Sequence, residues 1–335
     1  MYKIDKLIYN YIVIGNGYDY YNYVYGQLKN ATNARFVSDF PITKFGRSIF
    51  VRHFLYNLPF KWIWCIYYIF YLKVIILKIH LKPSDKLCFL MLAGGANNSL
   101  LKLGICEKLR KSFVNSKVVF FINDLVEKTH QPVDLMKKHS DLVYSFDPMD
   151  CRKYGLINHV IPYSDFSFVV NPSPKYDLAF VGAAKDRLDE LYQIYNYLES
   201  KGINCFFRII GVPEDKQIKA EGLSYSGRIS YEENLQLLQD CNCILDIVQG
   251  NSSGNTIRIG EAIFMGKKVL TNNRYTPENG VYDNDSMRYF GRKEDIDLEF
   301  ILGRKIPSYN KIKDLMYPSN LFSCIEGNFA DECCS

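Results

Sequence analysis

Short apolar runs separated by polar and glycine-rich breaks recur along both halves of the chain. In the second half, residues 177–182 (DLAFVG) predict a strand that runs into a glycine turn. Residues 205–210 predict the next strand, broken by Gly211-Val212-Pro213, and 243–248 predict another. Between the first two, Leu188, Leu191, Tyr192 and Tyr195 recur at helical spacing, and Ser230 with Glu233 has the spacing of a capping box. A small-residue loop ending at Gly254 leads into a helical pattern that stops at Gly266, after which 269–271 resume extended character. The first half carries strand patterns at 11–14, 86–92 and 118–122, with a helical pattern over 97–111. Strands alternating with helices predict α/β architecture with two Rossmann-like domains.

Length supports two domains, since 335 residues exceed one ordinary core. Pro162, Pro172 and Pro174 mark a linker, and the boundary is expected near Pro172. The expected ranges are 1–168, 169–310 and a tail, 311–335, crossing back onto the first domain. Hydrophobic content of 48% with 23% charged residues is that of a globular chain. The ten cysteines are scattered and no signal peptide precedes them, so reduced cytosolic thiols are expected. Cys241 and Cys243 are too close for a zinc knuckle.

Charge changes the picture at one place. The first 82 residues hold 11 Lys+Arg against 3 Asp+Glu, while the remainder holds 30 against 33. The basic excess flanks the aromatic stretch 60–79, whose longest uncharged run, 62–72, has 11 residues. A bilayer span needs about 20. An interfacial helix within a membrane-facing segment 49–82 is therefore expected, with Trp62 and Trp64 at headgroup level and an anionic membrane surface as partner. A buried helix pair is the plain alternative. Nucleic acid is not expected, because large aliphatic residues interrupt any cationic track.

The loop and helix after residue 248 hold the candidate chemistry. Ser252, Ser253, Gly254, Asn255 and Thr256 crowd a helix N-terminus, where unpaired N–H groups and the dipole favour phosphate. Arg258 and Glu261 share a helix face, one suited to phosphate oxygens and the other to sugar hydroxyls. A solvated ion pair is the bland alternative. Gly260 inside the helix implies close packing or ligand approach. Gly15-Asn16-Gly17 resembles a dinucleotide fingerprint only superficially, because Tyr20 stands at the third glycine position.

The stretch from 243 to 273 resembles the donor-binding half of GT-B glycosyltransferases, especially bacterial enzymes that build capsule and lipopolysaccharide. Many of these carry a glutamate, seven intervening residues and a second glutamate followed by alanine. Glu261-Ala262, Gly266 and the strand at Val269 match the second part, whereas Ser253 stands at the position of the first glutamate, so that part of the pattern is missing and its role is not carried over. The resemblance implies that Glu261 holds the donor ribose. It also places the turn at Gly182, with Lys185 and Arg187, near the diphosphate, and it covers roughly 177–273. Residues 141–164 resemble the segment that precedes the interdomain crossing in the same enzymes. Asp19 and Asp124, on loops after first-half strands, are candidates for a general base on an acceptor hydroxyl, with turn or cap roles as the alternative. His130 and His139 are expected to be solvated.

The implied protein is a GT-B enzyme with two Rossmann-like domains facing a cleft. It would move a sugar from a nucleotide-sugar to a lipid-linked or lipopolysaccharide-core saccharide, in the cytoplasm at the inner face of the membrane. No metal or other cofactor is expected. A non-catalytic nucleotide-sugar-binding partner and a nicotinamide oxidoreductase are the alternatives.

Overall fold

The computed structural model describes residues 4, 6–15, 18–38, 60–82, 84–166, 173–248, 250 and 252–332. The chain forms two compact units: Met1–Val160 with Tyr317–Ser335, and Ile161–Met316. The stretch around Pro172, where the linker pattern placed the boundary, lies outside the described residues.

Unit 1 holds β1 (Asn10–Gly15), β2 (Ala34–Ser38), β3 (Leu87–Leu92), β4 (Ser116–Ile122), β5 (Leu142–Ser145) and β6 (Ile157–Asn158). They pair in parallel in the order β2-β1-β3-β4-β5-β6. Every residue of β3, LCFLML, is buried, as expected of a parallel strand covered on both faces. The helical pattern over 97–111 is two helices, Gly95–Lys102 and Ile105–Ser112. Gly104 separates them at φ +74°, a left-handed backbone that interrupts the helical hydrogen bonds.

The C-terminal helix Pro318–Glu332 packs within unit 1. Phe322 stacks on Tyr11 with ring centroids 4.0 Å apart, and the Tyr11 hydroxyl donates to the Phe322 carbonyl at 3.1 Å. The Glu326 carboxylate accepts the backbone N–H groups of Ile8 and Tyr9, each at 2.8 Å. His159 joins the same helix through Asn320, 3.1 Å from its Nε2.

Unit 2 holds β7 (Tyr176–Ala183), β8 (Cys205–Ile210), β9 (Leu223–Ser226), β10 (Cys241–Asp246), β11 (Lys268–Thr271) and β12 (Met287–Tyr289). The order is β12-β11-β10-β7-β8-β9, all parallel. Chain order reverses between β7 and β10, so their carboxyl ends open a topological switch point, where open α/β sheets bind ligands. The capping spacing at Ser230 is realised: its hydroxyl accepts the N–H of Glu233 at 3.1 Å and starts the helix Tyr231–Gln239. Gly266, at φ +64°, ends the helix Ile257–Met265.

Candidate functional site

The switch point of unit 2 is built by the carboxyl ends of β7 and β10 and the start of the helix Ile257–Met265. Asp246, the last residue of β10, is buried and serves as the knot. Its two oxygens accept from the hydroxyls of Thr256 and Thr271, each at 2.8 Å. Thr271 is its register partner on β11. Thr256 is also the N-cap of the helix, accepting the N–H of Arg258 at 3.1 Å. One carboxylate thus joins two strands to a helix start. Burial pushes its pKa up, against the pull of the two threonines and of Arg258 and Arg187.

Two arginines converge on the same place. A Cβ built on Gly182 would lie 3.5 Å from a terminal nitrogen of Arg187 and 3.5 Å from one of Arg258. Arg187 donates to the carbonyls of Ile247, beyond β10, and Ala183, the last residue of β7, so its guanidinium bridges the two strand ends. Among the described residues, its Nε is buried with no hydrogen-bond partner. Burial lowers its pKa, Asp246 opposes the shift and Arg258 adds to it. Its position at the start of the helix Leu188–Ser200 would set a cation against the helix dipole. The bridging carbonyls supply the compensation. Arg258 donates to the Val181 carbonyl, to Asn234 at 3.2 Å and to Glu261.

Glu261 lies behind Arg258. The carboxylate side chain is 1% exposed and the arginine side chain 14%. Asn234 donates to it at 3.1 Å, and the Tyr231 hydroxyl bonds to it as well. Burial raises its pKa, and Arg258, Tyr231 and Asn234 oppose the rise. The ion pair suggested by the spacing is present, but it is buried rather than solvated, and three side chains already occupy the carboxylate. Arg258 is the more exposed partner.

Gly260 is accounted for by packing. A Cβ there would meet the Tyr163 ring at 2.8 Å and the Met316 methyl at 3.2 Å. Tyr163 in turn meets the Tyr231 hydroxyl at 2.7 Å, so the residue that requires the glycine also braces a neighbour of Glu261.

The loop before the helix is tucked in. Ser253, Gly254 and Asn255 are buried, and Ser252 and Thr256 are half-buried. Asn273 donates to the Gly254 carbonyl at 3.0 Å, and Asn279 to the Ser253 carbonyl at 2.9 Å. Gln249 and Asn251 lie outside the described residues. Lys185 is exposed, on left-handed backbone at φ +47°.

In unit 1, Asp19 and Asp124 are both exposed. Asp124 accepts the N–H of Leu125 at 2.9 Å, a turn-type contact. Next to it, Asn123 donates to the hydroxyls of Tyr20 and Tyr21, at 3.2 and 2.5 Å. The loops bearing the two aspartates are therefore joined. His139 pairs with Glu107 rather than standing in solvent alone. Among the described residues, no cluster of His, Cys, Asp and Glu could hold a metal ion.

Sequence pattern alone missed Asn234, Tyr231, Tyr163 and the knotting role of Asp246. Asp246 had a legible signal, an acid closing an apolar run beside a loop. Tyr163 had none, because its partners lie far along the chain.

No family model matches the chain, and no curated protein matches it. Solved structures do. An α-glucosyltransferase in complex with UDP and a 13-mer DNA containing an HMU base is similar at TM-score 0.53 and 10% identity, over 96% of this chain and 98% of that one. TarM is similar at TM-score 0.52 and 12% identity, over 78% of this chain. The match spans 57% of TarM's length. Two Rossmann-like units, each with a parallel six-stranded sheet among the described residues, make this a GT-B-like fold.

Proposed function

We propose that the protein is a nucleotide-sugar-dependent glycosyltransferase. The observation that carries this is the convergence of Arg187 and Arg258 over Gly182 at the switch point of unit 2. Two guanidinium groups oriented by backbone carbonyls suit a diphosphate, whose charge grows as the sugar leaves. In the transfer, the bond between the anomeric carbon and the phosphate oxygen breaks and its electron pair stays with the nucleoside diphosphate. The acceptor oxygen bonds to the anomeric carbon and its proton passes to a base. Asp19 and Asp124 are the candidates for that base, being exposed carboxylates on neighbouring loops of unit 1. The loop from Ser252 to Thr256 is the candidate for the donor sugar and phosphates, with Lys185 as an outer cation. Glu261 serves the donor through Arg258, and the bacterial pattern around it favours a lipid-linked or lipopolysaccharide-core saccharide as acceptor. The α-glucosyltransferase with a similar fold binds UDP, the class of ligand this site suits.

The test is a thermal-shift screen of nucleoside diphosphates and nucleotide sugars, followed by an assay for nucleoside diphosphate release. One nucleotide should raise the melting temperature, and Arg187→Met should weaken its binding about tenfold to a hundredfold, the worth of a hydrogen bond to a charged group. Binding without turnover on any saccharide acceptor would favour the non-catalytic partner. Stabilisation by a nicotinamide dinucleotide alone would overturn the proposal.

A further inference from the structure

A second feature lies far from the donor chemistry and does not depend on it. The helix Ile63–Lys78 is apolar on both faces, yet among the described residues only one packs into the core. Cys65, Tyr68, Ile69, Leu72 and Ile76 enter the core of unit 1 with Phe89 and Leu109. On the other side, Trp62 is 51% exposed, Ile66 55% and Phe70 67%, with Ile63, Tyr67 and Leu77 exposed as well. These positions recur at three- and four-residue spacing from 63 to 70 and again two turns on at 77, a stripe about 21 Å long at 1.5 Å per residue. Of sixteen exposed large apolar side chains among the described residues, seven fall between Phe60 and Leu77, so this is a patch and not scatter.

We propose that this stripe docks the protein on the surface of an anionic lipid bilayer, with the helix lying in the interface plane. Charge selects that occupant. Residues 60–82 carry Lys61, Lys73, Lys78 and Lys82 and no Asp or Glu. A second copy of the chain, meeting this patch with its own across a two-fold axis, would bring lysines against lysines. An anionic headgroup layer complements the same lysines while its acyl boundary takes the aromatic and aliphatic side chains. The buried face anchors the helix to the sheet, so it cannot leave to span. No helix among the described residues is long and apolar enough to cross a membrane. The structure also separates the two tryptophans that the sequence pattern treats alike. Trp62 is exposed, whereas Trp64 is half-buried and packs on the core.

The test is flotation of the full chain with vesicles of phosphatidylcholine alone and with added phosphatidylglycerol. The protein should float only with the anionic vesicles, and molar salt should release part of it as the screening length falls to about 3 Å. Ile66→Ser with Phe70→Ser changes only exposed positions and should lower partitioning by about tenfold or more, from lost apolar burial. Lys78→Glu with Lys82→Glu should lower it by about fivefold per lysine and flatten the salt dependence. Both double variants should keep the parent melting temperature and nucleotide binding, which separates this failure from failure of the donor site. Absence of flotation with anionic vesicles at low salt would overturn the proposal. So would partitioning of the apolar variant equal to the parent's, or a lipid-free dimer that this variant converts to monomer.

Discussion

Replacing Glu261 by alanine separates a strut from a direct ligand contact. The carboxylate is 1% exposed and its principal partner, Arg258, 14%. Removing it strands a largely buried guanidinium and leaves Asn234 and Tyr231 each short of an acceptor. Breaking a buried ion pair from one side costs about 3–5 kcal/mol. Arg258 keeps Asn234 and the Val181 carbonyl as acceptors, which places the expected loss near the low end, about 3 kcal/mol. In a unit the size of Ile161–Met316 that corresponds to a fall in melting temperature of roughly 6–12 °C. Glu261→Gln keeps the shape and loses only the charge, and should cost less, about 1.5–3 kcal/mol. Combining Glu261→Ala with Arg258→Met removes both charges. The double variant should be at least as stable as Glu261→Ala, and the cycle closed with Arg258→Met alone should give a coupling energy of about 0.5–3 kcal/mol. The measurement is scanning calorimetry, with nucleotide titrations on each variant. An unchanged melting temperature in Glu261→Ala together with lost nucleotide binding would refute the reasoning, because the carboxylate would then be open to ligand and not committed to Arg258.

Other expectations follow from single contacts. Gly260→Ala should lower the melting temperature, since the new methyl meets the Tyr163 ring at 2.8 Å; overpacking of about 1–3 kcal/mol outweighs a helix-propensity gain below about 1. Lys268→Met should cost about 1.5–3 kcal/mol in thermal unfolding, because the buried ammonium donates to the carbonyls of Phe300, Ile301 and Gly303, of which Asn242 also serves the last two. His159 is buried between the Val160 carbonyl and Asn320, and burial lowers its pKa below the ordinary 6.5. The unfolded chain therefore binds that proton first as pH falls, so the histidine's contribution is complete above pH 6.5 and is lost as pH falls through the folded value. Urea unfolding across that range should show a steeper decline for the parent than for His159→Gln, and parallel curves would refute this assignment.

The elements were legible in the residue pattern because each depends on neighbours a few positions away. Apolar runs announced the central strands of both sheets, Ser230 announced a helix start and Gly266 a helix end, since capping and left-handed backbone are local matters. The spacing of Arg258 and Glu261 was also visible, being one helical turn. Their burial was not. It depends on Asn234, on Tyr231 and on Val181 of a strand 77 residues upstream, which only the sheet order β10-β7 brings alongside. Likewise a glycine inside a helix signalled an unusual demand, yet only packing showed that the demand came from Tyr163. The aromatic helix makes the same point in reverse. Its composition is apolar all round, so no periodicity could say which side faces the core; the fold decided that Tyr68 and Leu72 go in while Ile66 and Phe70 stay out. Sequence thus determined the kinds of elements and the charges they carry, because those are properties of short segments. Which charges were desolvated, which arginines met and which apolar face was left over belonged to the tertiary structure, because desolvation and convergence are properties of atoms distant along the chain and close in space.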